Sequence, residues 1–321
     1  MDLSLVFAGT AGSVPTARRG LPALLLRRGG DRVLFDCGEG TQRQLIRSVG
    51  LVDIDAVFIT HFHADHWLGL PGMLKSFALR EREKPLTVYG PPGADSVLGR
   101  LEFVYGGLPY PFAIEELRAG ESVAFDGYDI TPFDVNHRGR AFGYAVVEDE
   151  RPGRFDAERA AELGVEFGPD LGRLQRGETV NDVSPEQVVG EPRRGRKIVL
   201  SGDTSPCEVL RTVASGADVL VHESTFAEEE ADRAEQTGHS TAAQAARLAA
   251  EADVGLLALT HVSGRYGGRE LLEEARAIFP RVELPRDFDS IDVPLPEKGE
   301  PELIRFEPRG KPNPAPSAPS C

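Results

Sequence analysis

The residues best suited to metal chemistry lie in one short segment, AVFITHFHADHWLGLPG. An apolar, β-branched run at 56–60 leads directly into His61, His63, Asp65 and His66. Imidazole and carboxylate groups are the side chains that bind Zn²⁺ and similar divalent ions. Because side chains alternate along an extended chain, His61 and His63 share one face, and a turn after them directs the next two ligands elsewhere. One segment can therefore supply two adjacent metal sites.

Three further ligand-type residues each follow an apolar, strand-like run: His137 after YDITPFDVN, Asp203 after KIVLSG and His261 after GLLALT. Ligands collect beyond the carboxyl ends of strands in α/β proteins, so these positions are expected to meet the histidine segment. Seven ligands suffice for two metal ions if one carboxylate bridges them, and Asp203 is the expected bridge. Asp203 also fits a helix cap before 205–206, and a histidine cluster also fits an ordinary surface group.

Hydrophobic patterning predicts the elements that position these residues. Helices are predicted at 40–49, 69–79, 206–215, 241–252 and 269–278, and strands at LSLVFAG, ALLLRR, RVLFDCG, AVFIT, LTVYG, YDITPF, GYAVVED, KIVLSGD, ADVLVHES, VGLLALTH, VELP and IDVPL. The order is β-rich at first and then alternates strand and helix in both halves. This order indicates the α/β class, with two mixed sheets flanked by helices in four αββα layers.

The segment 151–197 differs from the rest because it is rich in Gly, Pro and charge. It holds nine acidic and nine basic residues, and only 157–163 has a helical pattern. We interpret it as an arm inserted into a single domain spanning 1–310, although an ordinary charged loop has the same composition. The tail at 311–321, KPNPAPSAPSC, is predicted to be disordered.

Composition excludes several classes of protein. The 321 residues carry a formal charge of −15, so any binding of nucleic acid must depend on local basic patches. The chain has 31 Arg but only 5 Lys, which fits either a high-salt cytoplasm or a GC-rich genome.

No apolar run approaches the roughly 18 residues of a membrane helix, and the first residues suggest a strand rather than a signal peptide. Three distant cysteines favour a reducing, cytoplasmic location.

At its ligand-type residues the sequence resembles the metallo-β-lactamase superfamily and, within it, the RNase Z family of tRNA 3′-processing endonucleases. HFHADH alone indicates the superfamily, whereas HEST, GHST and the segment at 151–180 together are similar to RNase Z. The likeness covers about 3–295 and includes FAGTAGSVPTARRG, FDCGEGTQRQL, SGDTSP and THVSGRY. It implies a metallo-β-lactamase fold and a zinc-dependent endoribonuclease. Such an enzyme removes 3′ trailers from precursor tRNA by two-metal hydrolysis and leaves a 3′-hydroxyl on the tRNA.

The resemblance also implies two Zn²⁺ per subunit, although Mn²⁺ or Fe²⁺ suits the same ligands. Asp203 would bridge the ions, one held by His61, His63 and His137 and the other by Asp65, His66 and His261. Asp65 would also accept a proton from the attacking water. Glu223 would pair with His239 near the leaving group. From residue type alone, Glu223 also fits a buried cap and His239 a solvated loop histidine, while His222 is interpreted as structural.

Substrate contacts are implied at Arg19, Arg173 and Arg176. Arg19 lies in PTARRG, a loop that senses the tRNA 3′ end in the family, although here Gly20 stands where Asn is usual. Arg173 and Arg176 lie in the arm, which corresponds to an exosite that grips the tRNA body. Residues 171–197 hold six bases and four acids, and such bases would contact phosphates. The resemblance further implies a homodimer.

Two alternatives belong to other classes of function. One is a metallo-β-lactamase-fold hydrolase of small phosphodiesters, thioesters or lactones, which has no need of a basic arm. The other is an RNA-binding or metal-storing module without catalysis, which has no need of both Glu223 and His239.

Overall fold

The computed structural model describes residues 1–307, so the predicted tail at 311–321 lies outside the described residues. The described strands are β1 (Leu3–Gly9), β2 (Ala23–Arg28), β3 (Asp31–Phe35), β4 (Ala56–Phe58), β5 (Leu86–Gly90), β6 (Phe112–Glu116), β7 (Val123–Phe125), β8 (Tyr128–Asp134), β9 (Phe142–Glu148), β10 (Lys197–Leu200), β11 (Val219–Glu223), β12 (Leu256–Thr260), β13 (Val282–Glu283), β14 (Ser290–Asp292) and β15 (Glu302–Ile304).

The described α-helices are α1 (Thr41–Ser48), α2 (Leu70–Leu79), α3 (Ala94–Leu98), α4 (Glu102–Tyr105), α5 (Ala157–Glu162), α6 (Pro169–Gln175), α7 (Glu208–Ala214), α8 (Ala231–Thr237), α9 (Ala242–Glu251) and α10 (Arg269–Arg276). None of the helices within 1–307 is both long and apolar enough to cross a bilayer.

The strands form two mixed sheets. The first has the order β15-β14-β1-β2-β3-β4-β5-β6, and the second has the order β13-β12-β11-β10-β9-β8-β7. Strands β3 to β6 run parallel in the first sheet, and β10 to β13 run parallel in the second. Each sheet therefore has a parallel part, and the loops after those strands supply the candidate site.

The two sheets pack face to face over an apolar core. Phe58 of β4 stacks on Tyr89 and meets Tyr144 of β9 edge to face, with ring centroids 4.8 Å and 5.3 Å apart. Leu5 and Val219 are buried in the same layer. Strands covered on both faces need apolar side chains on both, which explains continuous runs such as LSLVFAG.

Helices cover the outer face of each sheet. Leu45 of α1 and Met73 of α2 pack behind β1 to β5, whereas α7, α9 and α10 pack behind the second sheet through residues such as Ala246 and Leu271. The predicted αββα layering is therefore confirmed. Sequence patterning did not identify β6, β7, β15, α3, α4, α6 and α8, because these elements are short or half-exposed.

The segment 151–197, called the arm below, forms a small structure of its own. Residue 157 begins α5 where the helical pattern predicts a helix, and α6 follows after Pro169. The two helices bury a separate apolar cluster, in which Ala160 and Leu174 are fully buried. The arm is therefore an ordered excursion with a core of its own.

Candidate metal centre

The segment HFHADH leaves the end of β4 and bends through a 3₁₀ turn at Ala64–His66. His61 and His66 are buried, whereas His63 is exposed. The turn therefore separates the ligand-type side chains into two directions, as the alternation argument predicts. His66 and Asp65 face the loop after β12, and His61 and His63 face the loop after β8.

Asp203, in the turn after β10, lies at the centre of the converging residues. Its Oδ2 atom is 3.7 Å from His61 Nε2, 3.4 Å from His66 Nε2 and 3.3 Å from His261 Nε2. These three Nε2 atoms are buried and lack a hydrogen-bond partner within residues 1–307. A buried polar atom without a partner costs free energy, so the nitrogens need another group between them and the carboxylate. A divalent cation fits that need, because imidazole and carboxylate are its usual ligands.

All seven residues predicted as ligands fall into two groups whose ligand atoms lie within 4.8 Å of one another. The first group is His61, His63, His137 and Asp203, and the second is Asp65, His66 and His261. In the first group, His63 Nδ1 lies 3.1 Å from His137 Nε2. A third group joins Asp203 and His261 to His239. The structure thus brings together the seven predicted ligands from four separate loops.

The buried His66 and His261 and the half-buried His137 are each oriented by a hydrogen bond from Nδ1. His66 Nδ1 donates to Asp36 Oδ2 at 2.7 Å, and His137 Nδ1 donates to the carbonyl of Gly238 at 2.6 Å. His261 Nδ1 donates to Thr225 Oγ1 at 2.8 Å. These bonds leave the Nε2 lone pairs free to bind a cation, an arrangement that partners of metal-binding histidines commonly produce.

Asp36 is a site residue that the sequence reasoning missed. It follows β3, accepts hydrogen bonds from the backbone N–H and hydroxyl of Thr60, and holds His66 in place. Its signal was present in FDCGEG, a carboxylate immediately after an apolar strand. The same rule that selected Asp203 selects Asp36.

Two residues of the centre have strained backbones. The φ angles of Asp36 and His261 are 56° and 55°, in the left-handed region that residues other than glycine rarely adopt. Such conformations cost about 1–3 kcal/mol each and persist where surrounding contacts fix them. Gly12 permits the close approach of its loop, because a Cβ there would lie 2.6 Å from His261 Nδ1.

The charge around the centre favours a cation. Burial lowers the pKa of His66, but Asp203 and Asp36 raise it well above its ordinary value. Burial and the neighbouring His66 lower the pKa of His61 well below its ordinary value, although Asp203 raises it, and they favour the neutral form that binds metals. Burial raises the pKa of Asp203, yet the neighbouring His261 and His66 lower it well below its usual range. Asp203 therefore remains ionised in this buried site.

Glu223, at the end of β11, forms a buried pair with His239. Its Oε1 accepts a 2.8 Å hydrogen bond from His239 Nδ1, and its Oε2 accepts from the backbone and hydroxyl of Thr225. Burial lowers the pKa of His239, but the charge and hydrogen bond of Glu223 raise it to about 9. His239 is therefore a cation at neutral pH. The neighbouring His222 only donates to the carbonyl of Glu223, which is a structural role.

Asp65, another residue of the centre, lies beside the loop at 12–20. Its Oδ2 accepts a 2.9 Å hydrogen bond from the backbone N–H of Ser13 and lies 3.5 Å from His261 Nε2. Burial raises its pKa, whereas the neighbouring His261 and His66 lower it below the usual range. Asp65 and His239 thus have different hydrogen-bond partners, although both lie close to His261.

The predicted substrate contacts lie outside the metal centre. Arg19 donates through Nη1 to Thr10 Oγ1 at 2.7 Å and to the carbonyl of Pro285 at 3.0 Å. Its guanidinium therefore ties the PTARRG loop to the loop before β14. Arg173 and Arg176 are exposed at the end of α6, where Arg173 pairs with Asp170 and Glu178.

Most other arm bases form ion pairs with the body of the protein, in a cluster called the arm root. Arg194 makes a bidentate pair with Asp218 at 2.7 Å and 2.8 Å. Glu297 accepts hydrogen bonds from two arginines, and the buried Glu148 accepts from two more. The arm root consists of Arg28, Arg151, Arg193, Arg194, Arg196, Glu148, Asp218 and Glu297. These arm bases hold the arm and are not free for phosphate.

Comparisons with known proteins agree with this geometry. A model of the beta-lactamase superfamily domain matches residues 31–176. The chain is 47% identical to ribonuclease Z of Natronomonas pharaonis over 93% of this chain and 100% of that protein. It is 45% identical to ribonuclease Z of Myxococcus xanthus over 91% of this chain and 98% of that protein.

Solved structures give the same result. The crystal structure of human tRNase Z, short form, superposes with a TM-score of 0.66 and 28% identity over 91% of this chain and 99% of that one. The metallo-β-lactamase fold protein YhfI of Bacillus subtilis has a TM-score of 0.67 over 91% of this chain and 100% of that one, and at 18% identity it shows the shared fold. The fold, the converging histidines and carboxylates, and the near-complete match to these relatives show that the chain belongs to the ribonuclease Z family.

Proposed function

We infer that the protein is a metal-dependent endoribonuclease that removes 3′ trailers from precursor tRNA and leaves a 3′-hydroxyl on the tRNA. The observation that carries this inference is the set of three buried, unpartnered Nε2 atoms around Asp203, in a chain that matches ribonuclease Z over nearly its whole length. The family relationship supports the substrate, and the donor set supports a divalent metal.

We propose that the centre holds two Zn²⁺ per subunit, although Mn²⁺ or Fe²⁺ would suit the same donors. One ion would be held by the group of His61, His63 and His137, the other by the group of Asp65, His66 and His261, and Asp203 would contact both. When bound, two such ions lower the pKa of a water molecule and offset the charge of the phosphate.

The chain's own residues supply the proton transfers. Asp65, ionised beside the centre, accepts a proton from the attacking water as the new P–O bond forms. His239, held cationic by Glu223, donates a proton to the 3′-oxygen as the P–O3′ bond breaks. In an in-line displacement, attack and departure occur on opposite faces of the phosphorus, and Asp65 is proposed to serve the attacking oxygen and His239 the leaving oxygen.

The arm is proposed to be an exosite within a single catalytic domain at 1–310. Arg173 and Arg176 are the proposed phosphate contacts, because they are exposed and their carboxylate partners lie within the arm itself. Arg19 is proposed to act on the 3′ end by fixing its loop beside Asp65. A homodimer and a cytoplasmic location complete the proposal.

The test is a cleavage gel with a 3′-extended precursor tRNA and zinc-loaded protein, with and without chelator, across a salt series. We expect one chelator-sensitive cut. It should lie directly after the discriminator nucleotide, which is the unpaired nucleotide that follows the acceptor stem. Absence of any cut in protein that holds two metal ions would refute the tRNA proposal. The search would then turn to small phosphodiesters and esters.

A further inference from the structure

A polar cavity of about 560 Å³ opens beside the metal centre on the side of His239. Its lining includes His137, His239, Arg138, Glu235 and Gln244, but not Asp65. A volume of this order is typical of sites that enclose a small ligand. The cavity lies where the leaving group of the proposed reaction must be.

We propose that this cavity binds the nucleotide on the 5′ side of the scissile phosphate, with its ribose at His239 and its 5′ phosphate on Arg138. The proposal rests on the proposed function and adds the side on which each part of the RNA lies. His239 uses Nδ1 to bind Glu223, so Nε2 is the ring nitrogen that is left to contact a ligand. The proposed reaction places the 3′-oxygen of the nucleotide before the cut at His239, so the ribose of that nucleotide enters the cavity that His239 lines.

Arg138 is the cation of this cavity. No carboxylate within residues 1–307 lies within 4.0 Å of its guanidinium. One guanidinium nitrogen donates a hydrogen bond to the carbonyl oxygen of Gln236. The remaining N–H groups match the paired oxygens of a phosphate. Arg138 differs in this respect from the arginines of the arm root, which are bound to carboxylates.

The other polar groups of the cavity suit a nucleoside. Gln244 uses its carbonyl oxygen to cap α9, which leaves its amide N–H₂ available as a donor. Asn136 donates to Ser205 and keeps its carbonyl oxygen as an acceptor. Asp232 and Glu235 add exposed carboxylates that can accept from a ribose hydroxyl or a base amine and that disfavour a second phosphate.

The remaining part of the RNA would lie outside the cavity. Asp65 contacts the loop at 12–20 through Ser13, and this loop does not line the cavity. The trailer is therefore assigned to the loop at 12–20 and the nucleotide before the cut to the cavity. This assignment predicts that the positive charge of Arg138 interacts with one phosphate only, the one on the 5′ side of the nucleotide before the cut.

The experiment combines a variant with a modified substrate. Arg138→Ala should lower kcat/KM on precursor tRNA about tenfold, as expected for a charge-assisted hydrogen bond. Arg140→Ala is the matched control, because Arg140 is exposed nearby but does not line the cavity, and it should change kcat/KM less than about twofold. Metal content is measured first in both variants.

The second arm uses a methylphosphonate in place of the phosphate immediately 5′ of the nucleotide before the cut. This neutral group should slow the unaltered enzyme by a similar factor and add no further loss in Arg138→Ala. Full additivity, or coupling of Arg138 to a phosphate of the trailer, would overturn the assignment. If the unaltered enzyme cuts no precursor tRNA at all, the proposed function itself is wrong, and this outcome is distinct from the first two.

Discussion

Carboxylates at the metal centre and at the arm root have opposite surroundings. Asp203 lies 3.3–3.7 Å from the Nε2 atoms of three histidines, too far for good hydrogen bonds, and those nitrogens have no other partner within 1–307. Glu148 in the arm root accepts hydrogen bonds of 2.6–2.7 Å from Arg196 and Arg28. The side chains of the metal centre leave room for a cation, whereas the carboxylates of the arm root are already paired with arginines.

This difference shows that one acidic, arginine-rich chain uses some buried carboxylates to stabilise the fold and others to form a site for a metal ion. A buried carboxylate needs a positive partner in either region. In the arm root the partner is a guanidinium of the same chain, and the result is a fixed connection. At the metal centre the partner must come from outside, and the result is a site that can do chemistry.

The largest effect is expected at Asp203. Asp203→Asn removes the negative charge that the ligand nitrogens face, so metal content should fall and kcat/KM should drop more than about 10³-fold. Asp218→Asn, a carboxylate change in the arm root, is the control and should keep its metal. Elemental analysis and the tRNA gel report both quantities. Equal metal loss in the two variants would contradict the contrast between the regions.

The pH dependence of kcat/KM tests the role of the Glu223–His239 ion pair. Burial lowers the pKa of His239, but Glu223 raises it to about 9, so the proton donor is present below pH 9 and lost as pH rises through that value. Glu223→Gln should move the alkaline limb of kcat/KM to lower pH and reduce the rate at pH 8 about 10²-fold.

The double variant Glu223→Gln, His239→Asn is the control for that interpretation. Residues that act as one unit give losses that do not add, so the double variant should be no slower than His239→Asn alone. Additive losses would assign Glu223 a separate role.

A smaller effect, on stability, is expected at Glu148. Burial raises its pKa, but hydrogen bonds from Arg196 and Arg28 lower it to about 2. Its contribution to the free energy of unfolding is therefore present above the ordinary glutamate pKa and is lost as pH falls toward 2. Glu148→Gln should cost about 3 kcal/mol at neutral pH, because two buried arginines lose their charged partner.

Urea denaturation at several pH values measures this loss. The variant should show a flatter dependence of stability on pH between about 4.5 and 2 than the unaltered protein. Glu297→Gln, which alters an exposed pair in the arm root, should cost much less. A larger loss at Glu297 than at Glu148 would show that burial is not what makes the pair important.

The smallest effect is expected in the arm. Arg176 is exposed and makes a single 3.5 Å contact with Glu178, whereas Arg193 is bound to Glu297 at 2.9 Å. Arg176→Ala should raise KM for precursor tRNA about threefold and reduce the slope of log KM against log salt by about one. Arg193→Ala should leave that slope unchanged, because its charge is already neutralised. Equal slopes for both variants would assign the arm root to RNA binding as well.

Much of this organisation follows from local sequence. Sequence patterning identified twelve strands and six helices, and the rule that ligands follow strand ends selected His137, Asp203 and His261 from a chain of 321 residues. Short or half-exposed elements such as β6 and α6 were missed, because proline, glycine and charge weaken their periodicity. Asp36 was missed although it obeys the same rule as Asp203.

The partners of each charge were decided only by the tertiary structure. Composition shows six bases at 171–197, but it does not show that Arg194 binds Asp218 or that Arg196 binds Glu148. Arg151 meets Glu297 across 146 positions of sequence. Ligand type and strand pattern are local properties that a sequence carries by itself. The pairing of charges depends on which loops meet when two sheets pack, and that is set by the fold as a whole.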